Sequence, residues 1–217
     1  MRTFKQICCL INLSLALWLP DYALAEDWPL ADSNLKSCIE KLAKKQGWLQ
    51  MQQVTEVRCH SQGIESLVGL NQFKNIKILS LHNNNIVDID LIAWPLLEEL
   101  NVAKNKLKQL AIINLTQLKQ FYAFSNQIED LRLDDLPSLE QFKANNNGMK
   151  TFHYQNLPTV NKIYLFDNEL ETMDIYQLPA LKYLDVRQNP MPDELYEEMD
   201  RLKGVTVLHD GNAEDWQ

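Results

Sequence analysis

The sequence predicts a parallel β-solenoid, with one short strand per repeat stacked into a curved sheet and a helix closing each end. Three observations predict it. Asn84, Asn105, Asn126, Asn147, Asn168 and Asn189 stand 21 positions apart without a slip. Apolar residues recur around each of them in one fixed frame, so every unit contributes the same core positions. Amphipathic stretches flank the array on both sides, as expected of lids over the open ends of a one-dimensional stack.

The repeated phrase is explicit in Leu97-Glu-Glu-Leu100-Asn-Val102-Ala-Lys-Asn105-Lys-Leu107, which reads L-x-x-L-x-L-x-x-N-x-L. That string resembles the leucine-rich repeat, and the resemblance runs from residue 54 to about 203. It implies a leucine-rich repeat solenoid of the α/β horseshoe class, with a curved parallel β-sheet on the concave face. The physics of the phrase is independent of the family. Apolar positions 1, 4, 6 and 11 point into one core, and the Asn marks where the chain leaves the strand. Its amide carries an acceptor and two donors, so a column of such residues can satisfy backbone groups that a tight turn leaves buried. Asp loses the donors and Leu loses both; a buried group left without its partner costs about 1–3 kcal/mol.

The chain then reads in order. Residues 1–25 form an export segment: Arg2 and Lys5 are basic, Ile7 to Leu19 is apolar, and Ala23-Leu24-Ala25 is a cleavage site. The mature chain is expected to begin at Glu26. The apolar run is too short to span a bilayer, and Cys8 and Cys9 precede the cleavage point, so no lipid anchor is expected. Two cysteines remain, Cys38 and Cys59, and an even pair in an oxidising compartment reads as one disulfide. It would close a loop of roughly 22 residues and contribute about 3 kcal/mol on the chain-entropy model. The other reading is two buried free thiols, since Cys59 holds a core position.

An N-terminal cap is expected over 26–53. Ser33 is its N-cap, Leu35, Cys38, Ile39 and Leu42 share one helical face, Lys36, Lys41, Lys44 and Lys45 face outward, and Gly47 ends the helix. The array spans 54–203 in seven repeats. The first is atypical, with Gln62 in place of the Asn and a step of 22 to Asn84. Strands are expected near 78–82, 99–103, 120–124, 141–145, 162–166 and 183–187. In the returns, Leu131-Arg-Leu133, Phe152-His-Tyr154 and Met173-Asp-Ile175 alternate in the strand period. Pro95, Pro137, Pro158 and Pro179 disfavour helices running into the strands, so extended or single-turn returns are expected. Phe121 and Phe142 pair with Ala123 and Ala144, which keeps layer volume constant. A second cap helix at 193–203 merges with the last repeat, and 204–217 supplies a cap strand and a tail.

Composition narrows function. With 29 acidic against 21 basic residues the net charge is −8, which argues against nucleic acid and anionic membrane surfaces. Six glycines leave little material for phosphate loops, and no G-x-x-x-x-G-K or G-x-G-x-x-G string occurs. There is no G-x-S-x-G, H-E-x-x-H or C-x-x-C string either, and the residues outside the repeats are read as two caps, so neither an enzyme nor a cofactor is expected. Asn114-Leu-Thr116 matches a glycosylation sequon, which matters only in a eukaryotic host. The cysteine-rich caps of extracellular eukaryotic repeats are absent. The simple unit is more similar to bacterial exported leucine-rich repeat proteins, which implies a periplasmic or secreted monomer.

Binding residues are expected on the strand positions that face away from the core. The fifth position of successive units gives Arg58, Ser80, Asn101, Tyr122, Lys143, Tyr164 and Asp185. The seventh gives His60, His82, Ala103, Phe124, Asn145, Phe166 and Arg187. Tyr122, Phe124, Tyr164 and Phe166, with Lys143 and Asn145 between them and Lys162, Tyr183 and Arg187 beside them, form the expected patch. Tyrosine beside Lys and Arg is the composition of protein-interface anchors, so a protein or peptide partner is expected. The same rings suit sugars, and a glycan is the alternative ligand. The structural alternative is cross-strand stacking that stabilises the sheet. His60 and His82 fall on adjacent strands, but Glu56 is the only nearby carboxylate, too few ligands for zinc.

Overall fold

The computed structural model describes residues 28–91 and 94–211. The export segment, Glu26, Asp27 and the tail from Asn212 lie outside them.

Each unit contributes a three-residue strand whose middle residue is buried and whose neighbours face outward. The strands are β1 (Glu56–Arg58), β2 (Ile78–Ser80), β3 (Glu99–Asn101), β5 (Gln120–Tyr122), β7 (Gln141–Lys143), β9 (Lys162–Tyr164) and β10 (Tyr183–Asp185). With β11 (Thr206–Leu208) they form an eight-stranded parallel sheet in the order β1-β2-β3-β5-β7-β9-β10-β11. The fixed repeat length locks the register. Leu79, Leu100, Phe121, Phe142, Ile163 and Leu184 lie side by side as one column. All six are fully buried. A slip of one residue would turn that column into solvent, so the pattern specifies the pairing.

The returns build a second sheet that the sequence reading resolved only in part. β4 (Gln109–Ile113), β6 (Asp130–Asp134) and β8 (Thr151–Gln155) pair in parallel on the convex side. In each, alternate residues point inward, Leu110 and Ile112, then Leu131 and Leu133, then Phe152, while Ala111 and Ile113 of β4 are exposed. Each is followed by a left-handed residue, Asn114, Asp135 or Asn156, the residue types that tolerate that conformation best after glycine. Met173-Asp-Ile175 shows the same alternation but is no strand. Its Asp174 carbonyl accepts a hydrogen bond from the Tyr154 hydroxyl at 2.9 Å instead.

The asparagines form a continuous hydrogen-bond column. Asn105 donates from Nδ2 to the carbonyls of Leu81 and Val102, both at 3.0 Å, and accepts from the Ile86 amide at 3.0 Å. Asn126, Asn147 and Asn168 repeat the pattern one unit on. Asn84 accepts from Gln62 and Ile64 and donates to Cys59 and Leu81. Asn189 closes the series on Leu165, Val186 and Leu170. Beyond it Asp210 takes over, accepting from the Gln188 amide at 2.9 Å. The residue before each ladder position is left-handed, including Asn83, Lys104, Ser125, Asn146, Asp167 and Gln188.

Both ends are covered. Helix α1 (Ser33–Gln46) buries Leu35, Cys38, Ile39 and Ala43 against the first repeat; Leu42 is only half-buried. The N-cap is Asp32, not Ser33: one carboxylate oxygen accepts from the amides of Asn34 and Leu35 at 2.9 Å each. The other accepts from Glu65 and Ser66. A single carboxylate thus caps the helix and ties it to the first return, a task a serine hydroxyl cannot perform. Cys38 and Cys59 are joined, with sulfurs 2.04 Å apart and a sequence separation of 21. Trp28, just ahead of α1, is buried and stacks on Phe73 at 5.4 Å. Helix α2 (Asp193–Asp200) covers the far end and stops three residues before the expected 203, with Arg201 as its C-cap. Its Tyr196 hydroxyl donates to the Asn189 carbonyl at 2.8 Å, and its ring stacks on buried His209 at 4.7 Å. Among the described residues no helix is long and apolar enough to cross a membrane.

Candidate binding face on the concave sheet

Strand alternation decides what the concave face presents. With the middle residue of each strand inward, the flanking residues and the second residue after the strand point the other way. The ladder therefore aligns Gln120, Gln141, Lys162 and Tyr183 in one row and Tyr122, Lys143, Tyr164 and Asp185 in the next. Phe124, Asn145, Phe166 and Arg187 follow two positions beyond the second row.

These side chains lie against one another. The rings of Tyr164 and Tyr183 sit 5.1 Å apart at a 41° tilt. The Lys143 ammonium stands over the Tyr164 ring, 4.5 Å from its centre, a cation–π contact worth about 0.5–1 kcal/mol where water reaches it. Tyr122, Phe124, Lys143, Asn145, Tyr164, Phe166 and Tyr183 are half-buried, while Lys162 and Arg187 are exposed. Burial, joined by nearby acidic and phenolic groups, raises the pKa of the Tyr122 and Tyr183 hydroxyls, so both remain protonated donors at neutral pH. The Tyr122 hydroxyl already donates to Gln120 Oε1 at 2.8 Å. Gln120 did not stand out in the sequence. Only its row position, next to Tyr122 on the same strand, signals the contact.

Arg187 is held by its neighbour. Its guanidinium makes two bonds to the Asp185 carboxylate, at 2.9 and 2.7 Å, and Asp185 is 2% exposed. Arg187 therefore orders the C-terminal edge of the patch. At the other end His60 and His82 meet edge to face at 6.0 Å. His60 Nε2 lies 2.7 Å from the Ser80 hydroxyl, and Glu56 pairs with Arg58. Among the described residues no three His, Cys, Asp or Glu side chains cluster as metal ligands. His82 also approaches Phe124 at 6.3 Å, although a strand lies between them. The intervening residue is Ala103, fully buried and small enough to let the rings meet above it. Burial, then Lys104, then His60 lower the His82 pKa.

The architecture is that of a leucine-rich repeat protein, and its neighbours among solved structures are bacterial proteins of that class. The chain is similar to internalin C2 of Listeria monocytogenes, with 18% identity, a TM-score of 0.55, and coverage of 84% of this chain and 95% of that one. It is also similar to YopM, a leucine-rich effector protein of Yersinia pestis, with 25% identity and a TM-score of 0.55 over 82% of this chain. The chain spans 51% of the YopM length. No protein-family model and no curated protein sequence matches it. These likenesses establish the fold class.

Proposed function

We propose that this protein is a non-catalytic binding module that holds a protein or peptide partner on the concave face. The observation that carries the reading is the band Tyr122, Phe124, Lys143, Tyr164, Phe166 and Tyr183 on one solvent-facing sheet surface. Rings already locked by their neighbours give contact area at little further cost in side-chain entropy. Tyr164 also bears on the alternative ligand. Lys143 stands over its ring from one neighbouring strand and Tyr183 packs on it from the other. A sugar needs an open ring face, so this arrangement favours a peptide over a glycan. The disulfide between cap and first repeat supports a compartment outside the cytosol, where such bonds persist. The export signal read in the first 25 residues points the same way.

The test is affinity capture from the cell envelope and surrounding medium. The baits are the mature protein and a variant with Tyr122, Phe124, Tyr164 and Phe166 changed to Ser. A protein retained by the first and absent from the second supports the proposal. Identical captures from two folded baits would move the site to the convex side or the caps and overturn it.

A further inference from the structure

We propose that the C-terminal half of the concave face takes an extended acidic peptide, its carboxylates at alternate positions meeting Lys143, Lys162 and Lys182. The inference rests on the reading of that face as the binding site and adds the chemistry of the occupant.

Four cations on and beside the sheet are already paired, and Lys104, which forms no ion pair among the described residues, stands at the turn two strands away from Lys143. Lys77 and Lys119 flank Glu98 at 4.0 and 2.8 Å. Arg58 pairs with Glu56 and reaches Glu99 at 3.6 Å, and Arg187 is held by Asp185 at 2.7 Å. Lys143, Lys162 and Lys182 differ, forming no ion pair among the described residues. On a chain of net charge −8, three uncompensated ammonium groups in three consecutive repeats form a local positive field that attracts anions. The rim row that alternates Lys77, Glu98, Lys119 and Glu140 breaks at Asn161 and leaves Lys182 without an acidic neighbour in that row.

The register gives the field a direction. Gln141, Lys162 and Tyr183 align across the strands, as do Tyr122, Lys143 and Tyr164. Lys143 and Lys162 therefore lie on one diagonal, and Tyr164 and Tyr183 lie on a parallel diagonal one strand further on. With strands ~4.8 Å apart and two residues of offset, the two lysine backbones are about 8 Å apart. Alternate residues of an extended peptide are ~6.8 Å apart, a mismatch that lysine stems absorb easily. A peptide on this line would set carboxylates on the ammonium groups and lay its intervening side chains against the tyrosine pair. Asp167 and Asp210 stand on the opposite, turn-side edge, which repels carboxylates from there and fixes their side of the groove.

The experiment pans a random peptide library on the intact, disulfide-bonded chain. It is repeated on the triple variant Lys143→Gln, Lys162→Gln, Lys182→Gln and on Phe166→Ser, each checked for an unchanged melting curve. The expected result is enrichment of Asp and Glu at alternating positions and binding at least ~10-fold weaker to the triple variant. Affinity should fall similarly between 0.1 and 1 M salt, as the Debye length shrinks from ~10 to ~3 Å. Peptides without acidic enrichment that still lose binding on Phe166→Ser overturn this inference and leave the concave site standing. Peptides indifferent to Phe166→Ser overturn the concave reading as well. Retention of dextran sulfate with no peptide selected overturns the assignment to a peptide.

Discussion

Replacing Asn105 with Ala tests how the ladder distributes its hydrogen bonds. The side chain donates to three carbonyls, of Leu81, Val102 and Ala103, but its loss strands none of them, and Ala103 O keeps the Asn83 N–H at 3.0 Å. Leu81 O keeps the Asn84 amide at 2.8 Å, and Val102 O keeps the Asn126 amide at 3.0 Å. Only the Ile86 N–H, on a fully buried residue, loses its acceptor. One orphaned buried donor costs about 1–3 kcal/mol. Asn84 sits at the end of the column, where sharing fails. Its removal strands both the Ile64 amide and the Cys59 carbonyl, so Asn84→Ala should cost more than Asn105→Ala by a further ~1–3 kcal/mol. Asn105→Asp should be worse than Ala at neutral pH, because a carboxylate would face three carbonyl oxygens with no donor. Burial and those oxygens would raise its folded pKa, so the deficit should shrink as pH falls and the acid is protonated. The assay is urea unfolding followed by circular dichroism, comparing midpoints at unchanged slope. Asn105→Ala within 0.5 kcal/mol of wild type (roughly the scatter of a surface substitution), or an Asn84→Ala cost below that of Asn105→Ala, would refute the sharing argument.

Other predictions follow from the caps. Replacing Cys38 and Cys59 with Ser should lower stability by about 3 kcal/mol, and a reductant should shift the wild-type melt to match the double variant. Partial burial pushes the Asp32 carboxyl upward, but the amides of Glu65, Leu35, Ser66 and Asn34 win and hold its pKa below the usual carboxylate value. Its contribution is therefore complete above the unfolded value of ~3.9 and is lost as pH falls through the lower folded one. Asp32→Ala should remove that part of the acid dependence of the urea midpoint. Gly69 adopts φ +95, and a Cβ there would lie 1.7 Å from the Pro29 carbonyl oxygen. Gly69→Ala should cost on the order of 3 kcal/mol and undock Trp28, read as a red-shifted tryptophan emission.

The array was legible because Asn recurs at a constant spacing inside a constant apolar frame, which fixes strand, register and inward face together. Strand length was less legible. A residue such as Val102 or Ala123 is as buried as a strand centre, yet it follows the strand, and burial alone marks no end. The convex strands were half visible in the alternation at 131–133 and 152–154. Gln109-Leu-Ala-Ile-Ile113 joins them although its four apolar residues run on, and Met173-Asp-Ile175 does not although it alternates, because pairing depends on the neighbouring return as well as on the segment. Asp32 was missed as the N-cap because its second role, binding Glu65 and Ser66, joins positions far apart in sequence. On the concave face the alternation located the aromatic positions. It carried no information on how far Tyr164, Tyr183 and Lys143 would cover one another, since that depends on side-chain angles across strands.

A partner seated on the concave face would lie within reach of β9 and out of reach of β6. Photo-crosslinking tests that placement most directly, with a photoreactive amino acid placed at exposed Lys162 on β9 or at Arg132 on the convex strand β6, each exposed to the native envelope and medium. A discrete adduct is expected from position 162 and none from 132. An adduct from position 132 alone would place the partner on the convex side and contradict the concave placement.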